Sequence, residues 1–408
     1  MADSMLTVDA ARDQLIRSAR PPTGRETVAA TDALGRVLAE PLLADLAVPP
    51  FANAAMDGYA LRLADWSADG WLAVRQRIVA GQVGRPLGAG EAARIFTGAP
   101  IPAGADCVAM QEDCDTRQTD MGEGASGPEV RVRRAPRPGE HVRPAGEDIA
   151  PGQTALAAGA RLGPAQLGLT AALGRTELMV YPRLRVALLY TGDEIVLPGQ
   201  PLGPGQIYNS NRAMLAALTA GLGCAVTDLG QVPDRLDATV ALLDAASRQA
   251  DVVITSGGVS VGEEDHVRAA LQRLGQVELW KVAMKPGKPL LYGRIDGTDL
   301  IGLPGNPVSA FVVFALFVRP FLLARMGASP EPLPGYTLPA GFDWTRPGKR
   351  REFLRARVEA GRVVLHSKQG SGALSSLAWA QGLADLPADT VIHAGDPINY
   401  MPLAELMQ

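Results

Sequence analysis

Apolar positions in this chain follow two regimes that meet near residue 183. Downstream, compact apolar runs alternate with stretches of helical period. The runs are Arg185 to Tyr190, the segment opening at Asp251, Val277 to Met284, and Asp299 to Leu303. Between them, Asn211 to Leu222 carries Met214, Leu215, Leu218 and Leu222 on one face, and Leu236 to Gln249 carries Leu236, Val240 and Leu243. A third helix is expected to start near Asp265, with Val267, Leu271 and Leu274 aligned. Strands alternating with helices predict a doubly wound, mostly parallel α/β sheet over about Arg183 to Met326, in which ligands lie beyond the carboxyl ends of the strands.

Upstream of Arg183 the apolar patches are short and divided by Gly, Pro and Asp, which predicts a β-rich region after an N-terminal helix capped by Thr7. Thr116 to Pro128 reads as a solvated hairpin connection, and the basic run Arg131 to Arg137 as an exposed strand face. Beyond Met326, the proline-rich Ala328 to Gly341 reads as a stiff linker, and alternation around Gly361 as a hairpin. The most apolar segment, Ala310 to Leu323, is short for a membrane span and contains Arg319 and Pro320, so a buried helix bent at Pro320 is expected.

Composition narrows the function classes. The 408 residues include 39 Lys and Arg against 43 Asp and Glu, a net charge of −4, and the cations do not cluster, which disfavours nucleic-acid binding. The 45 glycines and 32 prolines exceed the usual combined share of about 12%, in keeping with many turns and β-rich modules. Cys107, Cys114 and Cys224 form no CxxC pair and the four histidines are scattered, so neither a disulfide framework nor a zinc site is indicated. Reduced thiols, the lack of a signal-peptide stretch and the lack of a membrane span together suggest a cytoplasmic protein.

The chemistry concentrates in the loops that end the apolar runs. Gly257 and Gly258, lacking side chains, can bring backbone N–H groups onto an anion, with Ser256 and Ser260 adding hydroxyls. A helix end adds only about 0.3–1 kcal/mol at an exposed site, so cations must join it, and the loop Lys285, Pro286, Gly287, Lys288, Pro289 supplies them, with Lys281 behind. Pro304, Gly305, Asn306 and Pro307 lead into a helix with Asn306 as N-cap, a second helix start facing the ligand. Thr191, Gly192, Asp193 and Glu194 end another run, and Asp193, Glu194, Asp234 and Asp265, with Glu263 and Glu264, make a hard oxygen set suited to Mg²⁺. Taken singly, each acid is a solvated loop residue and the glycine pair an ordinary turn; their common placement raises the group. Gly258, Ser260 and Gly262 also fit the G-x-S-x-G pattern of serine hydrolases, but Ser260 lies too far past the strand for a nucleophile elbow, and His366 and His393 fall in a separate module.

TGDEI, IYNSN, SGGVSVGEED, KPGKP and LPGNPVSA, in that order, closely resemble the MoeA-type molybdopterin molybdenumtransferases, as do PPFANAAMDGYAL, IFTGAPIPAGADCVAMQE and RPAGEDI upstream. The resemblance spans nearly the whole chain. It implies a multidomain α/β plus β architecture: a discontinuous domain of residues 1–50 and 141–182, an inserted β-rich domain of 51–140, a molybdopterin-binding α/β domain of 183–327, and a small C-terminal β-barrel of 328–408. The implied reaction takes molybdate and adenylylated molybdopterin, releases AMP with Mg²⁺, and leaves molybdenum on the pterin dithiolene. The implied catalytic set is Asp57, Thr97, Asp148, Glu194, Asp234, Asp265, Lys281 and Lys285, with Glu194, Asp234 and Asp265 as metal ligands. Substrate contacts are expected from Thr191, Gly192, Asp193, Ser256, Gly257, Gly258, Ser260, Lys288, Pro304, Pro307 and Ser371. Two departures stand out: Arg235 follows Asp234 where some relatives have a second acid, and Ala54 and Ala55 replace more polar residues.

The resemblance further implies a homodimer whose cleft is completed by the neighbouring subunit, and contact with a molybdopterin adenylyltransferase and acceptor molybdoenzymes. No nucleic acid and no membrane are expected as partners. The alternative activity is molybdopterin adenylylation or related nucleotide processing on the same α/β domain, but the MDGY, TGAPIP and GEDI segments lie outside such a domain. A non-catalytic scaffold is a third class, and no long tether supports it.

Overall fold

A computed structural model describes residues 5–120, 126–258 and 266–407. The chain divides into two compact units, Met1–Glu40 with Ala158–Gly163 and Glu177–Gln408, and Pro41–Ala157 with Pro164–Thr176. In the first unit a six-stranded sheet is built from β1 (Arg185–Thr191), β2 (Ala225–Val232), β3 (Val252–Ser256), β4 (Gln276–Lys281), β5 (Pro289–Ile295) and β6 (Thr298–Leu303). Their order is β2-β1-β3-β6-β5-β4. The first four are parallel, whereas β5 and β4 each run antiparallel to the preceding strand. Two reversals in succession bring the end of β4 back to the edge where β1, β3 and β6 finish. The Lys285–Pro289 turn therefore reaches the same rim as the glycine loop after β3.

Successive β1 residues show why both faces are covered. Val186, Leu188 and Tyr190 enter one core with Leu215 of α1 (Ser210–Gly221), while Ala187 and Leu189 enter another with Leu243 of α2 (Leu236–Ser247) and Val267 and Leu271 of α3 (His266–Leu274). Strand alternation thus feeds two apolar layers, as the near-continuous apolar runs require. The expected start of α3 near Asp265 lies at the border of the described residues.

The helix α4 (Pro307–Arg325) has 19 residues and a mean hydropathy of 2.0. It is longer than the Ala310 to Leu323 segment suggested by sequence and by length and composition could cross a bilayer, yet 78% of its apolar window is buried within the protein. Its middle turn, Phe314–Val318, is widened into a π-helix just ahead of Pro320. Proline lacks an N–H and its ring crowds the carbonyl four residues back, and the widened turn absorbs both effects.

Two other segments differ from expectation. Val277 to Met284 is not one strand: β4 ends at Lys281, and Met284–Lys285 joins the C-terminal sheet beside Arg351 and Glu352. The turn that follows is thereby held between two sheets. The proline-rich stretch after Met326 is linker only in part, because Tyr336–Pro339 pairs with Pro397–Pro402 as a strand. The C-terminal strands run in the order Met284–Lys285, Arg351–Glu359, Gly382–Leu386, Pro397–Pro402, Tyr336–Pro339. Arg362–Leu365 folds back on Arg351–Glu359 through the hairpin at Gly361, and an Ala340–Val363 bridge closes the barrel. In the N-terminal helix Val8–Ser18, Thr7 accepts a hydrogen bond from the Ala10 N–H at 3.2 Å, as capping requires.

The second unit holds a six-stranded sheet in the order Cys107–Met110, Gly58–Leu61, Glu91–Ile95, Leu72–Ile78, Ser126–Val132, Cys114–Asp120. Adjacent residues such as Ala60 and Leu61 again enter separate apolar clusters. Thr116 to Pro128, expected as a connection, is antiparallel strand over its described residues, with Thr116 opposite Val130 and Gln118 opposite Pro128.

One buried charge ties the first unit's sheet to its surroundings. Asp299 has no solvent exposure and accepts hydrogen bonds at 2.8 Å from the Tyr292 hydroxyl and Arg294 Nε, with Arg325 Nε 3.0 Å from its second oxygen. Removing one partner of a buried ion pair strands the other. Asp299→Asn is expected to lower stability by about 3–5 kcal/mol, measured by urea unfolding.

Candidate functional site

A cavity of about 540 Å³ opens in the first unit, lined by Gly257, Gly258, Lys285 to Pro289, Pro304, Gly305, Asn306, Ser309, Arg350, Gln369, Gly370 and Ser371. Three of the four loops singled out by sequence meet here, joined by Arg350 and the Gln369–Ser371 segment of the C-terminal barrel. Each wall has a local cause. Gly257 adopts φ +93°, and a Cβ there would lie 2.7 Å from both the carbonyl oxygen and Oγ1 of Thr191. Only glycine lets this turn rest on the end of β1. Its N–H donates to the Leu303 carbonyl at 3.1 Å, so it is committed to the fold and is not a free donor to a ligand.

Asn211 at the start of α1 locks two walls together. Its Nδ2 donates to Ser256 Oγ at 2.8 Å and to the Gly305 carbonyl at 2.7 Å. Ser256 is buried in this contact and does not line the cavity. The Lys285–Pro289 turn contains a cis Lys285–Pro286 bond, and a Cβ on Gly287 would press within 2.5 Å of Val313. Lys288 is exposed, and its carbonyl accepts from the Val282 N–H at 2.9 Å. Lys285 Nζ lies 3.1 Å from Glu352, a buried carboxylate of the barrel, so its charge is partly matched before any ligand arrives.

The start of α4 is less open to a ligand than its sequence suggests. Asn306 stands at the N-cap position without a side-chain capping bond, and its side chain joins the cavity wall. Pro307 has no N–H, and the Val308 N–H donates to the Ser371 carbonyl at 3.0 Å. That bond draws the barrel loop, and with it Ser371, onto the sheet's rim.

Asp193, Glu194 and Asp234 are not among the residues that line this cavity. The Glu194 carboxylate folds over Gly192, where a Cβ would come within 2.4 Å of it. Asp193 accepts from the Asp234 N–H at 3.2 Å, so the loops after β1 and β2 do meet. Asp265, Ser260, Glu263 and Glu264 lie outside the described residues. Among the described residues no group of three His, Cys, Asp or Glu is arranged to hold a metal. Two neighbouring carboxylate loops still suit Mg²⁺, which usually takes one or two carboxylates and completes its shell with water and substrate phosphate. Lys281, at the end of β4, and Pro307 lie outside the cavity lining.

In the second unit Asp57 accepts from both the N–H and the hydroxyl of Thr97 at 2.8 Å. The backbone bond from Thr97, then its hydroxyl, holds the Asp57 carboxyl below its ordinary range, so it stays ionised at neutral pH. Asp148 is exposed, and its N–H donates to the Val48 carbonyl. All three cysteines are free, and burial pushes the thiols up to about 12 for Cys107 and Cys224 and about 11 for Cys114, which leaves little thiolate for nucleophilic chemistry.

Sequence reading missed Arg350, Gln369, Gly370, Asn211 and Glu352. Arg350 carried a signal in the Lys349–Arg351 cation run directly before a strand, and Asn211 in the IYNSN motif. The others act through contacts between segments distant in sequence.

A cation-bearing cavity at the carboxyl rim of a doubly wound sheet, closed on one side by a small barrel, defines a multidomain α/β plus β protein. Residues 6–174 match the family described as MoeA N-terminal region (domain I and II), 187–324 the probable molybdopterin binding domain, and 337–403 the MoeA C-terminal region (domain IV). Molybdopterin molybdenumtransferase 2 of Mycobacterium tuberculosis is 42% identical over 409 residues, covering 96% of this chain and 97% of that protein. The molybdopterin molybdenumtransferase of Haemophilus influenzae is 37% identical over 411 residues, 99% of this chain and 100% of its own. The crystal structure of a molybdopterin biosynthesis MoeA protein of Pyrococcus horikoshii superposes with a TM-score of 0.74 at 33% identity, covering 98% of this chain and 99% of that one. The chain belongs to the molybdopterin molybdenumtransferase family.

Gly257→Ala is expected to lower stability by about 1–3 kcal/mol, checked by thermal melting.

Proposed function

We propose that this protein is a transferase that inserts molybdenum from molybdate into adenylylated molybdopterin and releases AMP. The single observation that carries the reading is the convergence of Lys288, Arg350, Gly258 and Ser371 on one cavity. Lys288 and Arg350 offer charge to a tetrahedral oxyanion, the guanidinium as a fork and the ammonium as a point charge. Gly258 and Pro304 to Asn306 leave backbone surface bare for a phosphate to approach. Lys285, already facing Glu352, orients the ligand more than it neutralises it. The family relationship, not the cavity alone, separates this reaction from adenylylation on a similar α/β domain.

Mg²⁺ belongs to the same proposal, held by Glu194 and Asp234 with Asp265, and it supplies charge neutralisation at phosphate oxygens when bound. A homodimer is proposed as well, in which Asp57, Thr97 and Asp148 of one subunit complete the cleft of the other. Asp57 suits that role because Thr97 fixes its carboxylate before a partner arrives. Residence in the cytoplasm, and hand-over between a molybdopterin adenylyltransferase and acceptor molybdoenzymes, complete the proposal.

The test is AMP release from adenylylated molybdopterin. It is expected to require molybdate, to stop after EDTA treatment and to return with Mg²⁺. Lys288→Ala is expected to raise the molybdate concentration for half-maximal rate by about tenfold or more, a loss of about 1.4 kcal/mol of binding. Release that ignores molybdate would reject the transfer reading, and EDTA resistance would reject the metal.

Subunit completion has its own test. Asp57→Ala and Lys288→Ala chains, each impaired alone, are co-expressed. Random pairing makes half the dimers mixed, and each mixed dimer has one intact cleft, so activity should recover to about a quarter of the unmutated level. No recovery in a verified mixed dimer would place each cleft within one chain.

A further inference from the structure

Arg355, in the middle of the barrel strand Arg351–Glu359, has no solvent exposure and is among the largest fully buried side chains of the described residues. Its guanidinium has no carboxylate within ion-pair distance among them. Nε lies 3.1 Å from Ser376 Oγ, Nη2 is 3.2 Å from the Gly370 carbonyl, and Nη1 is 3.4 Å from the Phe353 carbonyl. Its backbone closes the grip: the Arg355 N–H donates to Gln369 Oε1 at 2.9 Å, and Gln369 Nε2 donates back to the Arg355 carbonyl at 2.9 Å. Apart from the Phe353 carbonyl on its own strand, these side-chain contacts lead to the Gln369–Ser376 segment, of which Gln369, Gly370 and Ser371 line the cavity.

A buried cation normally recruits a carboxylate, because dipoles alone offset only part of its lost hydration. The nearby Glu352 is already engaged with Lys285. Burial pushes the pKa of Arg355 down to about 10, which leaves the group charged at neutral pH. A surplus positive charge consequently sits one residue behind the wall that carries Gly370 and Ser371.

We propose that Arg355 is a positioning residue for the oxyanion: it fixes the Gln369–Ser371 wall, and its unmatched buried charge biases the cavity toward doubly charged tetrahedral anions. The inference rests on the cavity being an oxyanion site, as proposed above. A role confined to packing would make Arg355 variants weaken all oxyanions alike, whereas an unmatched charge acts in proportion to ligand charge.

The experiment compares binding of molybdate with that of perrhenate, a tetrahedral oxyanion of similar shape and a single charge, to the full-length protein by isothermal titration calorimetry. The wild type is expected to bind molybdate at least about tenfold more tightly than perrhenate. Arg355→Gln should lower that ratio by about fivefold or more, chiefly by weakening molybdate. Arg355→Lys, which keeps the charge and loses the two-pronged grip, should preserve the ratio while weakening both ions to a similar degree. A folded Arg355→Gln protein with the wild-type ratio would overturn the inference, as would a collapsed ratio in Arg355→Lys. Should Arg355→Gln fail to fold by thermal melting, the ratio in Arg355→Lys decides alone. A wild-type protein that binds neither ion would instead remove the oxyanion reading of the cavity, an outcome separate from failure of the variants.

Discussion

The burial of α4 is the constraint from which the site follows. A 19-residue helix with apolar side chains around most of its circumference cannot be satisfied by one sheet face. On one side it packs with Val186, Leu188, Ile254 and Ile301 of the α/β sheet, and the same cluster takes in Phe353, Leu383 and Met401 of the barrel. Covering the helix from two directions brings the barrel to the rim where β1, β3 and β6 end. The cavity is the space left where these two coverings meet at the start of α4, and the Val308 to Ser371 bond pins the meeting point.

Close approach then decides the composition of the walls. The glycine turn after β3 rests on Thr191, and the Gly287 turn rests on Val313; neither leaves room for a Cβ. With side chains excluded, the polar surface near a ligand comes from backbone and from the few long side chains that reach around it: Lys288, Arg350 and Gln369. Asn211 supplies the rigidity such bare loops lack, because one amide holds Ser256 and Gly305 at once. Rigidity of this kind lowers the ordering cost of ligand binding.

Much of this was legible in the sequence, for identifiable reasons. Period-2 and period-3.6 patterns in the α/β region were strong because both faces of that sheet are buried, and the glycine, KPGKP and LPGNP loops were marked by residues with few other uses. The break in Val277 to Met284 was hidden, since a strand that leaves one sheet for another keeps the same apolar composition. The open helix start expected at Asn306 was misjudged for a similar reason: the carbonyl that occupies Val308 N–H comes from Ser371, more than sixty residues away, and no local pattern announces it. Glu352 and Arg355 look like ordinary strand residues between apolar neighbours until the barrel closes around them.

The distribution of charge completes the picture. The described acids of the β1 and β2 loops do not line the cavity, while Lys288, Arg350 and Arg355 stand at or behind its walls, and Glu352 pairs with Lys285 and accepts from the Gly348 N–H. Had the carboxylates lined the same surface as the lysines, they would have neutralised one another and left little field for a ligand. Separation keeps the cations of the cavity wall from being neutralised by those carboxylates. The glycine turns are where the cavity wall is closest to bare backbone.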